Sequence, residues 1–382
     1  MEKNNKNLNV PNLRFPEFSG EWEKCSLGEI GHTSIGLTYS PADVVKEDGI
    51  IVLRSSNIQD GEIDYKDLVR VNKKIKDSLF TKKDDILICA RNGSPRLIGK
   101  NALISDVDAG HSYGAFMMVY RSEENPFVRQ LLCTKRYFAQ VGENIGARIN
   151  QITTSDMNSF EFFFPQSKEE RNKIALFLRI IDERISTQKK IIEKYESLIR
   201  GLYQLLFQNA KNNDFVSLGD ISQISNGNSD VKDASMYNDG SLYPFFDRSD
   251  EIKFLPEYLF DKEAIIYPGE GAEFYPRYYN GKFALHQRCY AVYDISTDFI
   301  PRYLYHYCKT QNSYFVRNAV GSTVASLRLD TFKRLKIPAI PTHHQESLVM
   351  FLDKIEAKIE CNRTILKKYE EQKKYLLFTL FI

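Results

Sequence analysis

The chain has 382 residues, 42% of them hydrophobic, and 52 Lys and Arg against 50 Asp and Glu, a formal charge of +2. This length and apolar content predict two or three folded domains, and the balanced charge excludes a uniformly basic nucleic-acid binder, so any such activity must come from local basic faces. No apolar run approaches the roughly 18 to 20 residues of a membrane span, the N-terminus is polar rather than an apolar signal core, and Cys25, Cys89, Cys133, Cys289, Cys308 and Cys361 show no C-x-x-C spacing, which predicts a cytoplasmic protein with reduced thiols and neither zinc site nor disulfide framework.

Residues 1–19 read as an N-terminal segment, and residues 20–166 as a first globular domain. Short β-like runs at Ile50-Ile51-Val52-Leu53, Ile86-Leu87-Ile88 and Phe116-Met117-Met118-Val119-Tyr120 alternate with Gly, Asn and Asp turns, and a helix is predicted over 127–141. Phe162-Phe163-Phe164-Pro165 closes this mixed α/β domain. Ser167 then fits an N-cap, with Glu169 and Glu170 in the first turn of a long helix over 167–210. A second domain, 211–341, repeats the plan. It has strands at Ala264-Ile265-Ile266-Tyr267 and Cys289-Tyr290-Ala291-Val292-Tyr293 and a helix over 301–318. Leu335-Lys336-Ile337-Pro338 leads into a second long helix, 342–382.

The two long helices are copies of each other. Phe177-Leu178 matches Phe351-Leu352, Ile185 matches Ile359, and Lys194-Tyr195-Glu196 matches Lys368-Tyr369-Glu370, always with the same offset, 359 − 185 = 174. Looser echoes precede them, such as Ser26-Leu27-Gly28-Glu29-Ile30 with Ser217-Leu218-Gly219-Asp220-Ile221. A period this long is a duplicated domain, not a solenoid repeat. Close helices and diverged globular parts imply one shared job and two different ones. Ile181, Ile185, Gln188 and Ile192 form one heptad seam, and Ile355, Ile359, Asn362 and Leu366 another, each with one amide at the matching place. The helices are expected to pair antiparallel with Gln188 near Asn362; the alternative is that either amide sits at the solvent edge of its seam. Lys373 weakens the far end of the second seam. A 28-residue rod would span roughly 42 Å, close to the roughly 34 to 36 Å between half-sites on one face of a DNA duplex.

Val10-Pro11-Asn12-Leu13-Arg14-Phe15-Pro16-Glu17-Phe18, followed by Gly20-Glu21-Trp22-Glu23 and Leu27-Gly28-Glu29, resembles the opening of specificity subunits of type I restriction-modification systems. Leu335-Lys336-Ile337-Pro338 with Gln345-Glu346, and the stretch from Gly269-Glu270-Gly271 to Tyr278-Tyr279-Asn280-Gly281-Lys282-Phe283-Ala284, add to the resemblance, which runs along essentially the whole chain. It implies an α+β fold: two mixed α/β target-recognition domains joined by two long antiparallel coiled-coil helices in a pseudo-two-fold duplication. It also implies that each domain reads one half of a bipartite, asymmetric site in double-stranded DNA. The helices would set the spacer and dock two methyltransferase subunits, with up to two restriction subunits in the complex. S-adenosylmethionine, ATP and magnesium are then expected on those partners only, and no cofactor or metal on this chain.

The residues themselves offer no catalytic cluster. No Asn-Pro-Pro-aromatic or Asp-Pro-Pro-aromatic motif is present, and Gly269 to Gly271 lacks the third glycine of a dinucleotide fingerprint. The segment 93–100 has one residue too many for a phosphate loop, and Asn101 replaces its Ser or Thr. His343-His344 lacks a ligand partner at helical spacing, and Glu356-Ala357-Lys358 reads as a solvated helix face. A non-catalytic duplicated protein-interaction scaffold remains the alternative to DNA reading.

Arg91, Asn92, Ser94 and Arg96 combine a turn with side chains that read base edges, since Arg bonds guanine and Asn adenine bidentately; Lys100 follows. The counterpart in the second domain carries Tyr275, Arg277, Tyr278 and Lys282, suited to phosphates or base stacking. A second pair of loops holds Arg148, Asn150 and Gln151, and Ser322, Thr323 and Arg328. Arg54 with Ser55 and Arg248 with Ser249 form a third repeated pair. His111 and His286-Gln287-Arg288 fit structural roles equally well.

Overall fold

The computed structural model describes residues 9–147, 150–208 and 214–382. Two compact units are present: residues 1–188 with 365–382, and residues 189–364. Among the described residues no helix is long and apolar enough to cross a membrane.

In the first unit, His32–Ile35, Met117–Arg121, Ile86–Cys89 and Asn101–Leu103 form an antiparallel sheet in that order. Every residue of Ile86–Cys89 is buried, which explains why its sequence is continuously apolar rather than alternating. A second sheet orders Ser112–Tyr113, Ile50–Leu53, Val69–Val71 and Val44–Val45, with its first two strands parallel. The helix expected over 127–141 is two helices, Asn125–Leu131 and Lys135–Ala147. Pro126 sits in the first turn of the former, where its missing N–H has no partner to lose.

The second unit carries one six-stranded sheet, ordered Gln223–Asn226, Cys289–Tyr293, Phe260–Pro268, Arg277–Leu285, Tyr243–Phe246 and Lys253–Leu255. Here too the helix expected over 301–318 is split, into Pro301–Lys309 and Asn312–Asn318. Leu329–Lys333 follows, and Lys336–Pro338 pairs antiparallel with Phe215–Ser217.

The plan is duplicated down to single hydrogen bonds. Gly36 N–H donates to the Met117 carbonyl and Gly227 N–H to that of Cys289, each where the leading strand leaves its sheet. A Cβ at Gly36 would lie 2.3 Å from the Gly114 carbonyl oxygen, and one at Gly227 1.9 Å from that of Leu285. Both positions therefore need glycine for close backbone approach. Gly227→Ala is expected to destabilise the second unit by about 1–3 kcal/mol, the usual cost of forced backbone movement. Thermal melting would check it, and an unchanged midpoint would show that the strand end relaxes freely.

The long helices are Lys168–Gln208 and Thr342–Thr379. Ser167 caps the first as its sequence predicts, its hydroxyl accepting from Glu170 N–H at 3.2 Å. Within the first unit, Asp182 meets Lys373 at 2.5 Å and Arg184 donates to the Tyr369 hydroxyl at 3.4 Å. Within the second unit, Glu196 meets Arg363 at 2.7 Å and the Tyr203 hydroxyl reaches Glu356 at 3.3 Å. One index rises as the other falls, so in each unit the segments run antiparallel. Ile181, Ile192, Ile355 and Ile359 are buried, and Ile185 and Leu366 half-buried. Lys373, which interrupts the apolar seam, is tied down by Asp182. Gln188, in the first unit, is buried; Asn362, in the second, is half-buried and donates to the Lys358 carbonyl at 2.6 Å.

Candidate nucleic-acid interface

In the first unit the loops singled out by their chemistry converge. The Asn92 amide donates to the Ser55 hydroxyl at 3.0 Å and accepts from Ser94 N–H at 3.0 Å. Asn150, in the left-handed conformation at φ 48°, donates to the Gly93 carbonyl at 3.2 Å. Arg91 and Gln151 are bridged through their backbones. Three loops distant in sequence thus form one surface, in which asparagines fix the backbone and Arg91, Ser94 and Arg96 are exposed. Arg54 is half-buried and donates to Asp67 at 2.7 Å. Lys100 reaches the Gln59 amide oxygen at 3.4 Å. Arg148 lies outside the described residues.

In the second unit the residues divide. Arg248, Tyr275, Lys282, Ser322, Thr323 and Arg328 are exposed. The loop bearing Ser322 and Thr323 is joined to the one after Pro268, Gly271 N–H donating to the Ala325 carbonyl at 3.0 Å. Arg277 works inward: its guanidinium donates to the Ser249 carbonyl at 2.7 Å and to that of Asp247, and lies 5.1 Å from the Phe246 ring centroid. It clamps the loop that presents Arg248. Tyr278 donates to Glu263 and lies under Arg302, 4.6 Å from its ring centroid, so it belongs to the packing of helix Pro301–Lys309. Lys282 sits over Tyr258 at 4.8 Å.

A cleft of about 500 Å³ opens beside these loops, lined among others by Asp247, Arg248, Lys253, Glu270, His286 and Arg288. Burial opposes ionisation of Asp247, but hydrogen bonds from Lys253 and Ser249 outweigh it and hold the carboxyl below the ordinary range. The cleft thus sets Asp230, Asp247 and Glu270 among Arg248, Lys253 and Arg288, a mixture of donors and acceptors suited to base edges rather than a uniformly cationic seat. The hydrogen-bond pattern also shifts one expected correspondence. Gly114 N–H donates to Leu53 and His286 N–H to Phe246, both at 2.9 Å, so the residue equivalent to Arg54 is Asp247 and not Arg248.

Among the described residues the only grouping with metal-ligand composition is His306, Asp353 and Glu356. Its carboxylates already hold cations: Arg302 donates to Asp353, and Lys309 to Glu356 at 2.6 Å. It is an ion-pair network joining helix Pro301–Lys309 to the second long helix. Glu356, expected on a solvated face, is half-buried in it.

Two segments, 19–197 and 210–371, match the family described as the type I restriction modification DNA specificity domain, and the chain belongs to that family. It is 27% identical over 185 residues to the specificity subunit of the type I restriction enzyme EcoKI from Escherichia coli K12, covering 46% of this chain and 39% of that subunit. It is 24% identical over 193 residues to the StySPI specificity subunit of Salmonella potsdam, covering 48% of this chain and 40% of that one. The matches thus span about two fifths of these relatives. The crystal structure of the type I restriction-modification S subunit from M. genitalium shares the fold, with a TM-score of 0.70, 16% identity and coverage of 98% of this chain and 99% of that one.

Proposed function

We propose that this chain is the DNA-reading specificity subunit of a type I restriction-modification complex, without chemistry of its own. Each domain reads one half of a bipartite asymmetric site, and the long helices set the spacer and dock two methyltransferase subunits, with up to two restriction subunits completing the assembly. Target-recognition domains at 20–166 and 211–341, spacer helices at 167–210 and 342–382, and a cytoplasmic location belong to the same reading. The observation that carries it is that one chain holds two matches to a DNA specificity family, each on a domain whose polar loops gather on one surface. Because the loop residues of the two domains differ, the two half-sites should differ as well.

Binding to the selected duplex should weaken steeply with salt, because phosphate contacts release counterions. Alanine at the exposed Arg96, Arg248 and Arg328 should each flatten the slope of log affinity against log salt by about one. Equal affinity for all duplexes, or triple replacement without effect on that slope, would leave a protein-interaction scaffold as the better account.

A further inference from the structure

The shared backbone pattern pairs residues of the two domains independently of their sequences. Met117 N–H donates to Gly114 and Cys289 N–H to His286, both at 2.8 Å, while Ile152 N–H donates to Ala90 at 2.9 Å and Leu327 N–H to Gly269 at 2.8 Å. Arg91 bridges Gln151, and Glu270 bridges Ser326. Arg91 thus corresponds to Glu270, and the turn 114–116 to the turn 286–288.

Here the two domains hold different chemistry in the same backbone frame. The Arg91 guanidinium lies 5.2 Å from the centroid of the Phe116 ring, and Phe116 is 58% exposed. In the second domain Arg288 donates through Nη1 to Glu270 at 2.7 Å, with 63% of the arginine side chain exposed. Stability does not account for the first pair, since an exposed phenyl ring leaves apolar surface in water; in the second, the Glu270 side chain is only 18% exposed and anchors an arginine that stays open to solvent. The turn beneath Arg288 is stiff. Gln287 N–H donates to Ser229 at 3.1 Å, the Asn226 amide donates to the Gln287 carbonyl at 3.2 Å, and a Cβ at Gly269 would lie 1.8 Å from the Arg288 carbonyl oxygen.

Resting on the reading that each domain contacts DNA, we infer that this position discriminates one base pair in each half-site: through Arg91 with Phe116 in the first domain, and through Arg288 with Glu270 in the second. Glu270 uses one nitrogen of Arg288 and sets its plane, leaving the other N–H groups as a fork for guanine O6 and N7 in the major groove. Phe116 holds its ring centroid 5.2 Å from the Arg91 guanidinium and offers an apolar edge to a neighbouring thymine methyl.

The test selects from duplexes carrying two randomised blocks, using the full chain with its modification subunits. Arg288→Ala should cut the preference for guanine at one position of one half-site by about tenfold, leaving the other half-site unchanged. Arg288→Gln should move that preference toward adenine, and Arg91→Ala should alter the opposite half-site. Glu270→Gln should relax the same position as Arg288→Ala; a pair with only a structural role would lower the melting temperature and leave base preference intact. A selective wild-type protein whose preferences survive Arg288→Ala, or for which both arginine variants act on one half-site, overturns this assignment and leaves the proposed function standing. A wild-type protein that selects no sequence removes both.

Discussion

Replacing Trp22 with alanine is expected to destabilise the first unit by about 3–5 kcal/mol, the range for deleting a large buried aromatic. The side chain is 1% exposed and meets Phe127 and Phe381 edge-on, each at 6.3 Å between ring centroids. Phe127 in turn packs on Phe164 at 5.4 Å and on Phe381 at 5.7 Å. The cluster joins the entry to the domain, helix Asn125–Leu131, the closing strand Glu161–Phe164 and the residues just after the second long helix. A cavity there would loosen all four at once, because neighbours from four elements cannot collapse together into the space. The buried indole N–H has no hydrogen-bond partner among the described residues, so Trp22→Phe removes an unsatisfied donor along with some volume and should cost far less. Urea unfolding followed by circular dichroism would check both, and a Trp22→Ala loss below about 1 kcal/mol would show that this cluster does not hold the unit together.

Much of the fold is legible in the residues because its signals are local. The strands Ile50–Leu53 and Cys289–Tyr293 lie where apolar runs between turns place them, and Ser167 starts its helix by the capping rule. The breaks within the helical stretches at 127–141 and 301–318 are lost when periodicity alone is read. Each has a local mark: Thr134 accepts from Tyr137 N–H at the start of the second piece, and the polar run Lys309-Thr310-Gln311-Asn312-Ser313 lies at the other break. Lys373 misleads for a related reason: a lysine in a seam reads as a defect until the partner helix supplies Asp182.

The candidate surface was legible as loops and much less as individual residues. Arg91, Asn92 and Asn150 come together as their turn chemistry implies. Arg277 has the same composition signal as Arg91, yet its guanidinium makes three inward contacts, and sequence spacing cannot show whether an arginine points into its own domain. Glu270 and Arg288 are not legible as a pair for the opposite reason. They are 18 residues apart, with strand Arg277–Leu285 between them, and only the register that sets Pro268 against Cys289 makes them neighbours; the offset of the duplicated glycines, 227 − 36 = 191, does not carry over to Arg91 and Glu270, where 270 − 91 = 179.

Acid should weaken the second unit through His306, and removing its carboxylate partner should weaken it at every pH. The imidazole is fully buried, with Nε2 2.7 Å from Asp353 and Nδ1 3.0 Å from the Tyr203 hydroxyl, and with Glu356, Arg302 and Lys309 completing the surroundings. Burial holds its pKa below the ordinary 6.5 despite the pull of Glu356 and Asp353. A histidine depressed in the folded state charges more readily once unfolded, so stability falls as pH drops below about 6.5. For Asp353, burial acts upward, but hydrogen bonds from Arg302 and His306 bring its pKa below 3.8. Its contribution is present above that ordinary value and is lost at still lower pH. His306→Gln should therefore flatten the decline of melting temperature between pH 6.5 and 5, and an unchanged slope would remove His306 as its cause. Asp353→Ala takes the nearest carboxylate from Arg302 and His306 together and leaves them to share Glu356. Breaking a buried pair costs about 3–5 kcal/mol, and with 37% of the Asp353 side chain in solvent the expected loss is about 2–3 kcal/mol. Because the network ties helix Pro301–Lys309 to the second long helix, hydrogen exchange in that helix should rise most, and uniform exchange across the unit would place the loss elsewhere.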